Sequence, residues 1–532
     1  MADYDVIVVG SGFGGGAAAC RLAEAGARVL VLERGRHWTP GSFPRTISDP
    51  WFFDHSDPAC ASGWLDLRFF RGMMVAQGAG VGGGSLSYAS VTMRADAERF
   101  AEGWPAEVNA DSLAPFYDLA ERMMNVGQVP EGQETHRSAI LRRAADKLGY
   151  ADRYERVPLA VTFDPDYSYD LPDPVSAKHA KSFINEQGSA QATCAHLGNC
   201  HIGCEVLAKN TVDLTYLARA QAQGAEVRAL HSVRSVEPEG QGYRVRWHCT
   251  AEASDGPGSA TADRVVLAAG SLGTTELLLR CRDEHKTLPD ISKRLGHGWS
   301  PNANFMTPAF YPDDVEVNQG VGPLIGSGLT FMDGSFRGQR FYIADDGFPN
   351  LLLNALRDRW KGTWLGRKLA EKFARGLDEF NPTDRLMLWL GEGVDAGNGR
   401  LRLGRIWYKP WRTALKLDWD VNASLGVYDA IIAMQQQLSA AGGAKASVPP
   451  QWRWFKWGAS VHPLGGCNMA ADASAGVVDH RGEVFGYPNL FIADGSVIPR
   501  PIGRNPALTI AALGERTGAL IAREMTATET AA

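Results

Sequence analysis

Cysteine is scarce in this chain, eight residues in 532, and the eight do not form the dense framework of a disulfide-stapled domain. Long hydrophobic runs are missing as well. Apolar stretches such as Val6–Val9 and Val29–Leu32 fall far short of the ~18 residues that a membrane helix needs. There is no basic excess: Lys plus Arg is 54 and Asp plus Glu 60, a net charge of -6. Nucleic-acid binding needs clustered Lys and Arg against phosphates, so no nucleic-acid partner is expected. The start of the chain shows neither a basic n-region nor a twin arginine, and no repeat or low-complexity tract follows. These absences predict a cytoplasmic protein with reduced thiols and no transmembrane segment.

What the chain has in excess is glycine, 59 of 532 residues, about 11% against a typical ~7%. The glycines cluster, which indicates close backbone approaches. Residues Tyr4–Gly10 read as a strand, Gly14–Ala25 as a helix and Arg28–Leu32 as a strand, one tight β-α-β unit. At its turn, Gly10-Ser11-Gly12-Phe13-Gly14-Gly15 fits G-x-G-x-x-G. Gly10 permits the turn, Gly12 lets backbone approach a pyrophosphate at the helix N-terminus, and Gly15 lets helix and strand pack closely. Glu33 ends the second strand, 18 residues after Gly15, placed to accept from ribose hydroxyls. The fingerprint predicts a dinucleotide and does not by itself separate NAD from FAD.

Later segments repeat parts of this grammar. Gly78–Ser85 (GAGVGGGS) is a second glycine-rich stretch, and Val265–Ala269 is an apolar strand running into Gly270 with a helix from Thr274 to Arg280. Asn489–Ala493 reads as a strand, Asp494-Gly495 as a turn, and Pro506–Glu524 as an amphipathic helix. Helices are expected over 111–125, 136–148 and 424–440, a long loop over 150–185, and strands around Leu386–Leu390 and Arg400–Lys416.

Taken together, GAGVGGGS, Ala208-Lys209-Asn210-Thr211, VLAAGSLGTTELLL from Val266, His462–Cys467 (HPLGGC) and NLFIADGSVIPRPIGRNPALT from Asn489 resemble the glucose–methanol–choline (GMC) flavoprotein oxidoreductases, in their cholesterol-oxidase-like branch. The resemblance implies an α/β chain with a discontinuous Rossmann-like FAD-binding domain (1–92, 185–298 and 458–532). Interleaved with it would be an α+β substrate domain built on an antiparallel sheet (93–184 and 299–457). It implies FAD, with Gly10, Gly12, Phe13, Gly14, Gly15 and Glu33 at the dinucleotide, Val233 presenting backbone to the adenine, and Gly82, Gly83 and Ser85 along the pyrophosphate and flavin. Asp494 and Gly495 would lie near the pyrophosphate and ribityl chain.

The same resemblance brings His462 and Asn505, the latter just before Pro506, to the flavin N5 side. Alcohol oxidation must remove a hydroxyl proton while hydride leaves carbon. A histidine in reach can position or deprotonate the hydroxyl, and a neutral amide can orient substrate. Asn505 also suits a helix N-cap, since Pro506 fits the first helical position. The family's steroid oxidases add a glutamate base. Before Leu386–Gly393 this chain has Thr383 and Asp384 and no Glu, while Glu392 comes later, in an expected strand-end turn. That departure argues against a steroid-isomerising step.

Cys194, Cys200 and Cys204, with His201, are spaced for an iron–sulfur cluster or zinc and resemble a cluster-bearing branch of the same family. Packed thiols without metal are the expectation, since no Cys-Pro pair follows. Cys20, Cys60, Cys249, Cys281 and Cys467 read as buried fillers. Trp452, Trp454 and Trp457 alternate with Arg453 and Lys456, read as a strand lining an apolar pocket, and Lys361–Arg375 reads as an amphipathic helix. The leading expectation is FAD-dependent oxidation of an alcohol on a bulky hydrophobic substrate, a sterol, terpenoid or aromatic alcohol, with molecular oxygen or another acceptor taking the electrons. The alternatives are a cluster-bearing dehydrogenase subunit wired to a cytochrome and a non-catalytic flavin-binding scaffold, which the retention of both His462 and Asn505 disfavours.

Overall fold

The computed structural model describes residues 2–46, 48–53, 62–250, 256–350, 385–406 and 409–531. The first β-α-β unit forms as its pattern dictates. Tyr4–Val9 pairs in parallel with Val29–Leu32, Val6 opposite Val29, and both strands are apolar because both faces of the sheet are covered. On its other side Tyr4–Val9 pairs with Pro257–Leu267, which in turn carries Leu490–Ile492 beside its last residues. Residues from the start, middle and end of the chain thus lie next to one another in one sheet, and Glu226–Arg228 closes its far edge. The antiparallel strands His231–Glu239 and Gly242–Cys249 extend it through the first half of Pro257–Leu267.

The sheet ends meet with no room to spare. Gly10 has φ +102°, and a Cβ there would stand 2.3 Å from the Ala268 carbonyl oxygen. The helix that follows, Phe13–Glu24, presses against the carbonyl of Ala493, so that a Cβ on Gly14 would lie 1.8 Å from that oxygen. The C-terminal helix Ala507–Ala531 packs along the same helix, Gly514 against the backbone of Gly14. Small residues at these contacts are what let two helices and three strand ends share one junction.

A second layer is a six-stranded, wholly antiparallel sheet in the order Lys445–Ala446, Phe305–Phe310, Leu386–Gly393, Phe341–Ala344, Ser327–Thr330, Tyr154–Arg156. Helices Leu425–Ala441 and His136–Leu148 cover one face, where Tyr428, Ile431 and Met434 meet Phe305, Phe341 and Trp389. Some of the polar groups inside this core pair with one another, while the hydroxyls of Tyr311 and Tyr428 and Trp452 Nε1 have no hydrogen-bond partner. Trp389 Nε1 donates to Ser439 Oγ at 2.8 Å, and the Gln435 amide donates to the carbonyls of Phe305 and Trp389 at 3.2 and 3.0 Å.

Several expectations change. Leu65–Phe70 is a strand antiparallel to Met73–Gly78, so the second glycine-rich stretch leaves a sheet. The 150–185 loop contains the edge strand Tyr154–Arg156. Gly399–Ile406 pairs antiparallel with Lys409–Asp418 on one side and His297–Trp299 on the other, in a small sheet of its own. Pro450–Phe455 is a short helix instead of a pocket-lining strand. Trp452 is buried in the core, whereas Trp454 is 70% and Phe455 77% exposed. Proline at the first turn and the apolar-basic alternation suit a helix with one buried face. Lys361–Arg375, Cys60 and Asp384 lie outside the described residues. Among the described residues no helix is long and apolar enough to cross a membrane.

The Gly14 contact is backbone on backbone and has nowhere to relax. Gly14→Ala should lower unfolding stability by about 1–3 kcal/mol or more, read as a shift in the urea midpoint at unchanged slope.

Candidate active site

A cavity of about 1120 Å³ runs between the two layers. Usual small-ligand sites span roughly 300–1,000 Å³, so there is volume for an extended dinucleotide and for a substrate. Of the residues picked out in the sequence, Gly10, Gly12, Phe13, Gly14, Glu33, Gly83, Val233, His462, Asp494, Gly495, Asn505 and Pro506 line it. Gly15, Gly82 and Ser85 do not, and each shapes the wall from behind. A Cβ on Gly15 would lie 2.2 Å from the Gly10 carbonyl oxygen. The Ser85 hydroxyl donates to Gly82 O at 2.7 Å and accepts from Val212 N at 2.9 Å, tying the second glycine-rich turn to the segment after Lys209-Asn210.

At the dinucleotide end, Glu33 is held from within the protein. One carboxylate oxygen accepts from Ser11 N (3.1 Å) and Ser11 Oγ (2.6 Å), the other from Gly35 N at 2.9 Å. Ser11 Oγ accepts from Gly82 N at 3.1 Å, so the two glycine-rich turns are joined through one hydroxyl. Sequence reading passed over Ser11 because it occupies a variable position of the motif. Asp494 is a latch of the same kind. It accepts from Gly270 N (2.9 Å), Thr274 Oγ1 (2.5 Å) and Ser496 N (2.8 Å), and burial pushes its carboxyl up from the ordinary value. Between these latches, Gly12 offers open space: a Cβ there meets only Gly83 Cα, at 3.9 Å. A helix N-terminus with bare backbone beside a free volume fits a pyrophosphate.

At the other end three segments far apart in sequence converge. Asn505 Nδ2 donates to Glu392 Oε1 at 2.8 Å, and the same oxygen lies 3.5 Å from His462 Nδ1. Glu392 is a residue of the strand Leu386–Gly393, not of a turn beyond it, and it is fully buried. Burial, reinforced by Asp346 and opposed by Arg504 and the Asn505 hydrogen bond, raises its carboxyl to about 8. His462 goes the other way, to about 3, because burial and the neighbouring His201 disfavour the imidazolium. Asn505 Oδ1 has no hydrogen-bond partner.

The imidazole of His462 is oriented by a residue the sequence did not suggest. Asn304 Oδ1 accepts the N–H groups of Val461 (3.0 Å) and His462 (3.1 Å), which turns its Nδ2 onto His462 Nδ1 at 3.0 Å. An amide N–H can only donate, so Nδ1 accepts and the neutral ring carries its hydrogen on Nε2.

The cysteines lie apart from this end. Cys194, Cys200 and Cys204 border an apolar cluster with Val157, Leu159 and Ala208, and burial pushes each thiol up. Among the described residues no group of His, Cys, Asp and Glu is arranged to hold a metal ion. Lys209 occupies the adjoining space, its Nζ donating to the carbonyls of Leu86, Tyr88 and Cys200. His201, expected beside the thiols, hydrogen-bonds to Ser87 O through Nδ1 instead and lines the cavity. Cys20, Cys281 and Cys467 are buried, and Cys249 is half-buried.

Comparison with known proteins agrees with this architecture. Residues 412–514 match a family model described as GMC oxidoreductase, and residues 8–55 an NAD(P)-binding Rossmann-like domain. A cholesterol oxidase of Mycobacterium tuberculosis is 30% identical over 97% of this chain and 91% of its own length. A cholesterol oxidase of Acinetobacter baumannii is 29% identical over 99% and 96%. Among solved structures, pyridoxine 4-oxidase from Mesorbium loti superposes with a TM-score of 0.62 at 15% identity, covering 97% of this chain and 98% of that one. A fungal aryl-alcohol oxidase superposes at 0.60 and 15%, over 99% and 100%. The chain belongs to the GMC oxidoreductase family and is an FAD-dependent alcohol oxidoreductase.

Because a Cβ on Gly12 meets only Gly83 Cα, at an ordinary contact distance of 3.9 Å, Gly12→Val should fold but bind no flavin. The expected result is a wild-type far-ultraviolet spectrum with the flavin absorption gone and not restored by added FAD.

Proposed function

We propose that the enzyme oxidises the hydroxyl of a bulky, mainly apolar alcohol, a sterol, terpenoid or aromatic alcohol, with FAD lying along the glycine-rich wall. The observation that carries the reading is the convergence of His462, Asn505 and Glu392 beside a cavity whose remaining wall here includes Met306, Ile325 and Leu390. FAD, when bound, supplies the hydride acceptor at N5 and passes the electrons on to oxygen or to another acceptor. The protein's own part is to hold the hydroxyl and manage its proton.

His462 and Asn505 are the proposed catalytic pair. With Nε2 protonated, His462 donates to the substrate oxygen, while the unpaired Asn505 Oδ1 accepts the hydroxyl hydrogen. Glu392 fixes Asn505 in that orientation by accepting from its Nδ2. It also controls His462. While Glu392 is protonated, Nδ1 stays an acceptor for Asn304 and the ring can position the hydroxyl but cannot take its proton. Once Glu392 ionises, its carboxylate 3.5 Å from Nδ1 competes with Asn304 for that nitrogen: a hydrogen on Nδ1 would donate to Glu392 at the expense of the Asn304 bond and leave Nε2 free to accept. A group titrating near the working pH is suited to such a task.

Single-turnover flavin reduction by alcohol should therefore rise with pH as Glu392 loses its proton, with an apparent value near 8. Glu392→Gln keeps an acceptor for Asn505 but has no charge to change, and should flatten that rise. His462→Ala should keep the bound flavin and slow its reduction by roughly 10²–10⁴-fold. Wild-type reduction rates in His462→Ala would remove the residue from the reaction.

A further inference from the structure

One pair of polar side chains in the cavity enters the chemistry above only through its charge, by way of Glu392 and His462. His201, in the short turn Cys200–Ile202, and Asp346, two residues beyond the strand Phe341–Ala344, both line it. His201 Nδ1 donates to Ser87 O at 2.8 Å, and its Nε2 faces Asp346 Oδ1 at 3.6 Å, beyond hydrogen-bond reach. The two side chains share no hydrogen bond, so Asp346 Oδ1 has no donor from His201. Asp346 is 3% exposed, and its Oδ1 has no hydrogen-bond partner. Burying an acceptor without a donor is costly, and a protein that keeps one beside a binding cavity has left a place for a donor from outside.

The pair is also distinct from the reacting trio. It is carried by other segments, and its imidazole is anchored to the glycine-rich turn by the Ser87 carbonyl, whereas that of His462 is anchored by Asn304. We infer that His201 and Asp346 form a second recognition point, and that the substrate carries, besides the hydroxyl that is oxidised, a further hydrogen-bond-donating group, a hydroxyl or an amine, on its apolar body. The inference rests on the alcohol-oxidising reading and narrows its substrate class. A plain apolar mono-alcohol satisfies His462 and Asn505 and leaves Asp346 unpaired. An amine or a second hydroxyl can donate to Asp346 Oδ1.

The test uses the holoenzyme and a panel of steroid and terpenoid alcohols, each paired with the analogue that bears one more hydroxyl or an amino group. Anaerobic flavin reduction gives kcat/KM for both members of each pair. At least one donor-bearing member should exceed its plain partner by roughly 10- to 100-fold. Asp346→Asn and His201→Phe should bring that ratio toward one. The ratio is the proper readout, because Asp346 also acts on Glu392 and any loss by that route falls on both members alike. Whether the hydroxyl or the amine arm shows the gain identifies the donor. A second measurement avoids turnover: tertiary alcohols have no hydride to give, so their dissociation constants, read from perturbation of the flavin absorption, should show the same preference and the same loss in the variants. Ratios near one across the panel in the wild type, or a preference that both variants retain, overturn the inference. Failure of every alcohol to reduce the flavin, with the tertiary pair still discriminated through Asp346, would instead count against the oxidation reading and leave the recognition point standing.

Discussion

The reacting end of the cavity hangs on the amide of Asn304. Its oxygen is committed to two backbone N–H groups of the segment that carries His462, and its nitrogen is thereby committed to the imidazole. Ser460 reinforces the arrangement, its hydroxyl lying 2.9 Å from Pro301 O and 3.2 Å from Asn304 Oδ1 and accepting from His462 N. One amide thus joins the segment around Pro301 to the segment around His462 and decides which ring nitrogen faces the substrate. An unbonded buried amide would be costly, so the orientation is enforced by the desolvation that buries the site as a whole.

The two ends of the cavity are built by different means. At the dinucleotide end the wall is mostly backbone: Gly10 and Gly14 sit against carbonyls of Ala268 and Ala493, and Ser11, Glu33 and Asp494 spend their polar atoms on neighbouring N–H groups. At Gly10 and Gly14 that end is rigid, because a carbon added there collides with main chain. At the alcohol end the wall is side chain. Glu392, His462 and Asn505 adjust to one another by charge, and burial displaces Glu392 upward and His462 downward, so that both are uncharged at neutral pH. Uncharged partners are what a buried, mainly apolar cavity tolerates.

The legible part of the sequence was local. The β-α-β unit, Glu33 and the strand-to-helix turns follow from short-range pattern, and the His462 and Asn505 motifs were distinct enough to place at one site. What escaped reading depends on register between distant strands. Glu392 looks like a turn residue after an apolar run, and only its pairing opposite Tyr342 keeps it in the sheet and under Asn505. Asn304 carries no signal of its own, since its importance comes from the fold of residues 460–462 around it. His201 sat among cysteines and was read as their companion, yet its ring is taken by the Ser87 carbonyl. The Trp452–Trp457 stretch failed for a different reason: alternation of aromatic and basic residues is shared by a strand and by a short helix, and Pro450 at the first turn favours the helix.

The central claim is that Asn304 and the charge on Glu392 set the hydrogen position on His462. Nitrogen-15 resonance of histidine-labelled holoenzyme reads that position directly, with His462→Gln identifying the signal. The account predicts a neutral ring protonated at Nε2 in mildly acidic and neutral buffer, moving toward Nδ1 protonation as pH passes about 8, and remaining at Nε2 throughout in Glu392→Gln. A ring already protonated at Nδ1 in neutral buffer, or one whose tautomer ignores Glu392, would contradict it.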